Sequence, residues 1–459
     1  MKIDLGYPLP LKAVAIALDI PPDDLPDITF TNIATDASEV KENGLFLAIV
    51  GERHDGHDYI RQAIQNGAKA VLAEKNTACH CPTLLVPRTT TALGKLAFVY
   101  SKTIPHRTIA ITGSVGKTTT RSFIEGALSP FMRVHATLGN YNSQIGLPMT
   151  MLAMPPKTDV LVLELGMNHM GEMRDLSHIC EPDMAVITNV GHAHIGHLGT
   201  KSQILKEKWD ITAAMKSGIV FRYFDIPIIN YDLPCTCYTC AIDHVANYRA
   251  STVKGLCVRF SLEGNTHFDV NLPSVTNPYL SASLYTVAVC HQMGLSNEEI
   301  CQVLPQSRMP GGRLEEHTIK GIKVINDAYN ASPESMLESF RFMSGLPSQK
   351  RRMAWLGDMR ELGEESAMWH AYIGQALPTH FDHVWLEGEM AEVIAESALS
   401  HGMKAEQIDV IDKGVREETI QIIASQLKEG DALLIKGAHA HNLMDVAQKL
   451  INILQKEKA

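Results

Sequence analysis

A glycine-rich turn between a β-branched strand and a helix carries the clearest chemistry in this 459-residue sequence. Its residues are Gly113, Ser114, Val115, Gly116, Lys117, Thr118 and Thr119. In such a turn, backbone N–H groups point at phosphate oxygens and the following helix N-terminus adds positive potential. The pattern predicts a phosphate loop in which Lys117 meets the β- and γ-phosphates and the Thr118 hydroxyl meets Mg²⁺. Ile111 stands where the full motif has glycine, so a plain glycine turn is the alternative.

Two further residues could hold a metal ion beside that loop. Glu164 ends an apolar run, and a carboxylate at the end of a buried strand costs desolvation energy unless a cation meets it. Mg²⁺ is the natural partner beside a phosphate loop, and a solvated carboxylate is the alternative. His194 could be a metal ligand or an ordinary loop histidine, and the residues alone favour the loop.

Alternating strands and helices must position these side chains. Continuous apolar runs separated by helical segments predict a parallel sheet that is covered on both faces. Such a sheet binds ligands at the carboxyl ends of its strands. The predicted strands are 108–112, 159–164 and 184–188, and, beyond a Pro-Gly-Gly break at 310–312, 322–327, 353–358 and 432–437.

The sequence therefore predicts an α/β protein of three domains. Residues 1–105 form a small mixed domain, 106–309 a central parallel-sheet domain with the phosphate loop, and 310–459 a Rossmann-like domain. Three domains also agree with the length, since a domain typically has roughly 100–200 residues.

Composition excludes several classes of function. The chain has 51 acidic and 41 basic residues, a net charge of −10, whereas a protein that binds nucleic acid through its phosphates is normally basic. No stretch approaches the roughly 20 apolar residues of a membrane helix, and the start lacks the features of a secretory signal. We expect a cytoplasmic protein that neither binds nucleic acid nor enters a membrane.

One cysteine cluster could bind zinc. Cys235, Cys237 and Cys240 are close in sequence, and His244 follows. Thiolates and an imidazole at this spacing could form a tetrahedral site. The usual second pair of cysteines is missing, so we expect reduced thiols rather than zinc.

Together these segments resemble the Mur ligases, ATP-dependent amide-forming enzymes of peptidoglycan precursor synthesis. The resemblance spans essentially the whole chain, because the motifs occur in the family's order. They are the phosphate loop, Gly-Asn-Tyr-Asn at 139–142, Glu164, the segment 189–194, Arg313 and the segment 326–333. The resemblance implies that the N-terminal domain binds the UDP end of one substrate, the central domain ATP, and the C-terminal domain the incoming amine.

The resemblance also implies which residues act. Catalytic roles fall on Lys117, His194, Lys208 and Arg313. Besides the phosphate loop, the implied ATP-binding residues are Asn140, Asn277, Arg313 and Asp327. Two Mg²⁺ sites are implied, with ligands from Thr118, Glu164, His194 and Lys208. Lys208 matches a family lysine that CO₂ carbamylates, which turns a repelling ammonium into an oxygen ligand; without the family it would be interpreted as a surface lysine.

Three stretches, 164–172, 327–331 and 356–364, are similar to one branch of the family. That branch uses ATP to join D-alanyl-D-alanine to a UDP-N-acetylmuramoyl-tripeptide through an acyl phosphate, and we expect a monomer. The alternatives are the ligase that adds the third amino acid to UDP-N-acetylmuramoyl-dipeptide, and a nucleotide-binding partner subunit without ligase activity.

The sequence also departs from the family pattern. Asp36-Ala37-Ser38 stands where Asp-Ser-Arg is usual, and Leu280 replaces an asparagine that often lies near adenine. Lys436-Gly437-Ala438-His439 replaces a common Lys-Gly-Ser-Arg. None of these positions belongs to the implied phosphate-transfer set.

Overall fold

The computed structural model of the protein describes residues 1–459 except 52, 77, 78, 194, 230–232, 348, 349 and 457–459. The described strands form three separate sheets of five, nine and six strands. Each sheet takes its strands from one continuous stretch of chain, 2–85, 107–271 or 315–436. The predicted α/β fold class is confirmed.

The first sheet has the order β1-β2-β3-β4-β5 and is parallel except for the pairing of β1 with β2. Its strands are β1 (Lys2–Pro10), β2 (Thr29–Ala34), β3 (Gly44–Leu47), β4 (Ala68–Ala73) and β5 (Thr83–Leu85). The helices beside it are α1 (Leu11–Ala17), α2 (Ile60–Gln65) and α3 (Thr89–Lys102).

The central sheet has the order β14-β13-β12-β11-β10-β9-β6-β8-β7. Its strands are β6 (Arg107–Thr112), β7 (Val134–Ala136), β8 (Val160–Glu164), β9 (Met184–Ile187), β10 (Ile219–Tyr223), β11 (Thr236–Ile242), β12 (Tyr248–Lys254), β13 (Cys257–Ser261) and β14 (His267–Asn271). Its helices are α4 (Lys117–Leu128), α5 (Gly146–Leu152), α6 (Glu172–Cys180), α7 (Ile195–Leu198), α8 (Lys201–Trp209), α9 (Asn277–Gln292) and α10 (Asn297–Val303).

The predicted burial of both sheet faces holds around the phosphate loop. Alternate residues of β8 enter different cores: Leu161 and Leu163 pack in one, and Val160 and Val162 in the other. Because β6 lies between β8 and β9, with Ile111 paired to Glu164 and Thr112 to Ile187, the three carboxyl ends meet at one place.

The three predicted strands of the central sheet are parallel, and antiparallel strands that the sequence did not predict extend one end of it. β12 pairs antiparallel with β13, and β13 with β14. In β13, Val258 and Phe260 are buried while Arg259 between them is exposed. Such alternation leaves one face in water, which antiparallel strands tolerate and parallel strands rarely do.

The third sheet has the order β15-β16-β20-β17-β18-β19 and is parallel except for the edge pair β15 and β16. Its strands are β15 (Glu315–Ile319), β16 (Ile322–Asn326), β17 (Arg352–Gly357), β18 (His383–Glu387), β19 (Ile408–Ile411) and β20 (Ala432–Lys436). Its helices are α11 (Pro333–Gly345), α12 (Ser366–His380), α13 (Ala391–Ser400), α14 (Arg416–Gln426) and α15 (Leu443–Lys456).

Within the described part of the chain, no helix is both long enough and apolar enough to cross a bilayer.

Candidate active site

The predicted phosphate loop connects β6 to α4 in the expected strand–turn–helix arrangement. Gly116 adopts a left-handed conformation (φ 83°), and a Cβ on Gly113 would lie 1.8 Å from the Thr188 hydroxyl. Side chains rarely tolerate either condition, so both positions require glycine. The loop geometry therefore explains the spacing of the two glycines.

Asn189, which follows β9, holds the loop in shape. Its Oδ1 accepts hydrogen bonds of 2.9 Å from the backbone N–H groups of both Ser114 and Val115. The Ser114 hydroxyl in turn accepts from the Gly191 N–H at 2.9 Å. Asn189 belongs to the family segment 189–194, but no sequence pattern predicts this role for its side chain.

Thr118 and Glu164 meet at the carboxyl ends of the central strands. The Thr118 hydroxyl donates to Glu164 Oε2 at 2.7 Å, and Glu164 is only 3% exposed. The other carboxylate oxygen accepts from the side-chain amide of Asn142 at 2.9 Å. The family resemblance assigns nucleotide binding to Asn140, which is exposed in the preceding turn; the contact of Asn142 with Glu164 was not predicted.

Lys117 lies at the first position of α4, and its ammonium donates to the Gly113 carbonyl at 2.7 Å. Burial lowers the pKa of Lys117, and the guanidinium of Arg313 adds to that effect. The carboxylates of Glu164 and Glu361 act in the opposite direction. This balance favours an anionic ligand, because added negative charge would stabilise the ammonium.

Lys208 is not on the surface. It lies in the last turn of α8 and is 1% exposed. Burial holds its pKa well below the ordinary lysine value, and the charge of Lys117 lowers it further. The neighbouring carboxylate of Glu207 accepts from the N–H groups of Gly171 and Met173, each at 2.9 Å, at the start of α6. Helix α8 is therefore anchored beside the phosphate loop with a low-pKa amine facing inward.

The third domain contributes Arg313. Its guanidinium donates to the Thr118 hydroxyl at 2.8 Å, and its Cζ lies 4.0 Å from the centre of the Tyr329 ring. Arg313 Nε is buried and has no hydrogen-bond partner among the described residues. Residues 195 positions apart thus form one site across two domains.

Asp327 lies behind Arg313. One carboxylate oxygen accepts from the Leu314 N–H at 3.1 Å. The other accepts from the Ser339 hydroxyl at 2.5 Å and from the Lys436 ammonium at 2.6 Å. The carboxylate predicted to reach the nucleotide is thus engaged by groups of its own domain.

A second contact joins the central and third domains beside the site. Glu334 Oε1 lies 2.7 Å from the His192 N–H nitrogen and 2.6 Å from His192 Nδ1. Nearby, the Gly196 N–H donates to the Glu361 carbonyl at 3.0 Å, and a Cβ on Gly196 would lie 2.5 Å from Gly363 N. These contacts join the two sides of the site. We call the side formed by the central domain the central wall and the side formed by the third domain the third-domain wall.

Asn277 remains apart from this cluster. Asn277 is exposed at the start of α9, and no hydrogen bond within the described part of the chain joins it to the phosphate loop. His194 lies outside the described residues.

The cysteine cluster does not converge on one point. Cys237 packs against one core of the central sheet and Cys240 lies in the other, because the strand sends them to opposite faces. Exposed His244 stacks on Phe224. Burial also raises the pKa of both thiols, which disfavours the thiolate that zinc requires.

The site combines a phosphate loop between a strand and a helix, a buried Thr–Glu pair and an arginine from a second domain. These features define a three-domain P-loop nucleotide-binding protein. Models of three family domains match this chain in order: the Mur ligase family catalytic domain at 29–112, the Mur ligase middle domain at 111–271, and the Mur ligase glutamate ligase domain at 312–439. The chain belongs to the Mur ligase family.

Relatives agree over nearly the full chain. The UDP-N-acetylmuramoyl-tripeptide–D-alanyl-D-alanine ligase of Bacillus subtilis is 33% identical, and the match covers 91% of this chain and 93% of that protein. The crystal structure of MurF from Acinetobacter baumannii has a TM-score of 0.87 and 25% identity, covering 98% of this chain and all of the other. MurF ligase from Thermotoga maritima, solved in complex with ADP, has a TM-score of 0.81 and 27% identity, covering 93% and 98%.

Proposed function

We propose that this chain is an ATP-dependent ligase that joins D-alanyl-D-alanine to a UDP-N-acetylmuramoyl-tripeptide in peptidoglycan precursor synthesis. The observation that carries the reaction type is the contact of Arg313 with Thr118, which completes a phosphate site across two domains. The names of the relatives, matched over nine-tenths of the chain, carry the choice of substrates.

The reaction has two displacements. The terminal carboxylate of the tripeptide attacks the γ-phosphorus of ATP, the bond to the bridging oxygen breaks, and ADP leaves. The neutral amine of the dipeptide then attacks the acyl phosphate, inorganic phosphate leaves, and the amine proton passes to solvent or phosphate. Since both partners of the first step are anions, charge neutralisation matters more than a protein nucleophile. Lys117 and Arg313 supply it.

The unpaired Nε of Arg313 fits a phosphate oxygen. It is a buried donor without a partner among the described residues, and such a donor is costly unless a ligand satisfies it. Lys117 beside it would contact the β- and γ-phosphates. Asn140, Asn277 and Asp327 are the remaining nucleotide-binding candidates, and of these the exposed asparagines would have to act from the rim.

The donor set also fits Mg²⁺. Thr118 Oγ1 and the Glu164 carboxylate are oxygen ligands 2.7 Å apart, and Mg²⁺ prefers oxygen ligands shared with substrate phosphates. His194 would serve a second Mg²⁺. When bound, the metal neutralises charge on the phosphates.

The surroundings of Lys208 support its carbamylation. CO₂ adds to a neutral amine, and burial together with the charge of Lys117 favours the neutral form of Lys208. The resulting carbamate would place a negative oxygen ligand next to Lys117, where an ammonium would be repelled. Carbamate formation should therefore increase as the pH rises through the pKa of Lys208.

The other two domains take the remaining parts of the substrates. We assign the UDP end to residues 1–105 and the incoming amine to 310–459. Arg313 and the phosphate loop come from the same chain, which supports the expectation of a monomer. ATP and UDP-activated precursors are cytoplasmic metabolites, which makes the cytoplasm the expected compartment.

The decisive experiment offers each amine to each precursor. Purified protein with ATP and Mg²⁺ is given the UDP-tripeptide or UDP-dipeptide with D-alanyl-D-alanine, diaminopimelate or lysine, and product mass and ADP are followed. We expect product only from the tripeptide and D-alanyl-D-alanine, and slow ADP release without the dipeptide.

Two other outcomes would contradict the proposal. Addition of diaminopimelate or lysine to the UDP-dipeptide would identify the ligase of the third residue. Nucleotide binding without any product would favour a non-catalytic partner subunit. Lys117→Ala serves as the inactive control in each reaction.

A further inference from the structure

A buried ion pair in the third domain lies directly behind the arginine of the site. β16 and β20 are neighbouring parallel strands, with Asn326 paired to Ile435. Asp327 directly follows β16, and Lys436 is the last residue of β20. Lys436 Nζ lies 2.6 Å from Asp327 Oδ2. Lys436 is 2% exposed, so this pair is shielded from water.

The pair connects three parts of the third domain. Asp327 also accepts from the Ser339 hydroxyl on α11 and from the Leu314 N–H, the residue after Arg313. Lys436 donates to the carbonyl of Asn330 at 3.1 Å. Every carboxylate oxygen of Asp327 thus has a protein donor, and one of those donors belongs to the loop that carries Arg313.

That loop needs anchors. Leu314 adopts a left-handed backbone conformation (φ 47°), which a branched side chain rarely adopts without support. On the other side of Arg313, the Tyr329 N–H donates to the Gly312 carbonyl at 3.1 Å, and the Tyr329 ring lies against the guanidinium. The segment after β16 therefore holds Arg313 from both sides.

We propose that Lys436 and Asp327 form a positioning pair, which fixes the Arg313 loop so that the guanidinium reaches the phosphate loop and the phosphates of a bound nucleotide. Lys436 does not touch the nucleotide in this role. It holds Asp327, and Asp327 holds Leu314. The inference rests on the proposed function only in requiring that a nucleotide binds at the phosphate loop.

If the pair had only a structural role, breaking it would lower the stability and leave the nucleotide affinity unchanged. Stability and nucleotide affinity must therefore be measured separately. The test variant is Lys436→Met, which shortens the side chain by only one atom and removes its charge. The matched control is Arg351→Met, because Arg351 pairs with Asp431 at 2.5 Å at the opposite, amino end of β20. Both variants break an ion pair of one strand, and only one lies behind Arg313.

The readouts are the Tm, the Kd for ADP by calorimetry and kcat/KM for ATP. We expect both variants to lower the Tm. Lys436→Met should weaken ADP affinity and kcat/KM for ATP by about 10-fold to 100-fold, whereas Arg351→Met leaves both unchanged. Unchanged values in folded Lys436→Met, or an equal loss in the control, would overturn the positioning role.

Ser339→Ala keeps the test decisive if Lys436→Met does not fold. It removes one hydrogen bond to Asp327 and leaves both charges in place. We expect about a fivefold loss of ADP affinity, and wild-type affinity would overturn the proposal.

A double-mutant cycle tests whether the effect passes through Arg313. In an Arg313→Ala background, Lys436→Met should have no further effect on ADP affinity, and additive losses would overturn the inference. Binding needs no turnover, so a wild-type chain that binds ADP without making product refutes the proposed function alone. A wild-type chain that binds no ADP overturns both.

Discussion

The central wall and the third-domain wall of the site each contain a buried lysine, and the two lysines have opposite surroundings. On the central wall, Lys208 is 1% exposed, and burial with the charge of Lys117 holds its pKa well below the ordinary value. On the third-domain wall, Lys436 is 2% exposed, but the Asp327 carboxylate lies 2.6 Å from its ammonium. Burial is the same on both walls, and the partner differs.

This difference distinguishes a buried lysine that can react from a buried lysine that stabilises the structure. A buried cation without a close carboxylate is destabilised and becomes a reactive amine or a site for an added anion. A buried cation with a hydrogen-bonded carboxylate instead fixes the segments that carry the two groups. The central wall therefore has the groups that a phosphate or carbamate would complete, and the third-domain wall has the pair that holds Arg313 in place.

The largest effect should come from the lysine of the phosphate loop. Lys117→Ala removes a cation aimed at developing phosphate charge, and we expect kcat to fall by about 100-fold to 1,000-fold with the fold retained. Steady-state kinetics and the Tm check this. Lys449→Ala is the control, because Lys449 pairs with Glu417 on the surface of α15. Turnover of Lys117→Ala within a few-fold of wild type would remove Lys117 from the mechanism.

The comparison between the two walls is sharpest at Lys208. Lys208→Ala should lose activity by about 10-fold to 100-fold, since a ligand oxygen disappears. Added formate or acetate should restore part of it, because either supplies a carboxylate where the carbamate stood. Lys436→Met should not respond to either anion. Normal activity of Lys208→Ala, or rescue of both variants alike, would remove the distinction.

A smaller effect is expected where the walls meet. Glu334→Gln keeps an oxygen near His192 but removes the charge, and we expect this partly exposed pair to contribute about 1 kcal/mol, or roughly fivefold in affinity. The KM for ATP should rise accordingly, while the Tm stays within about 1 °C. Glu338→Gln is the control, because Glu338 lies on the same helix and pairs only with Arg341 at the surface among the described residues. Equal KM values in both variants would show that the His192 contact does not support ATP binding.

Local patterns in the sequence were enough to find the phosphate loop and Glu164. The glycine spacing at 113–116 requires a close backbone turn, and Glu164 ends a buried strand, so both belong at the carboxyl edge of a parallel sheet. The contact of Thr118 with Glu164 spans only 46 residues, within the two strand–helix units that lead from β6 to β8.

The roles of Lys208 and Asp327 could not be predicted from local patterns. Lys208 follows Lys206 and Glu207 in a charged run, and such a run indicates a solvated helix face, so only the family resemblance pointed to it. Asp327 meets a lysine 109 residues later, because β20 inserts next to β16. No periodicity predicts which strand inserts beside which, and the engagement of this carboxylate was therefore missed.

The position of β20 also affects how the chain folds during its synthesis. It is the last strand of its sheet to be synthesised, yet it lies between β16 and β17 in the middle. On the ribosome the first two sheets have all their strands long before residue 432 emerges, and domains generally fold in that order. Until then β16 and β17 expose facing edges that can pair with other chains. A nascent or truncated product would therefore present a finished phosphate loop and an open, aggregation-prone sheet, and a chaperone would be needed longest at the end of translation.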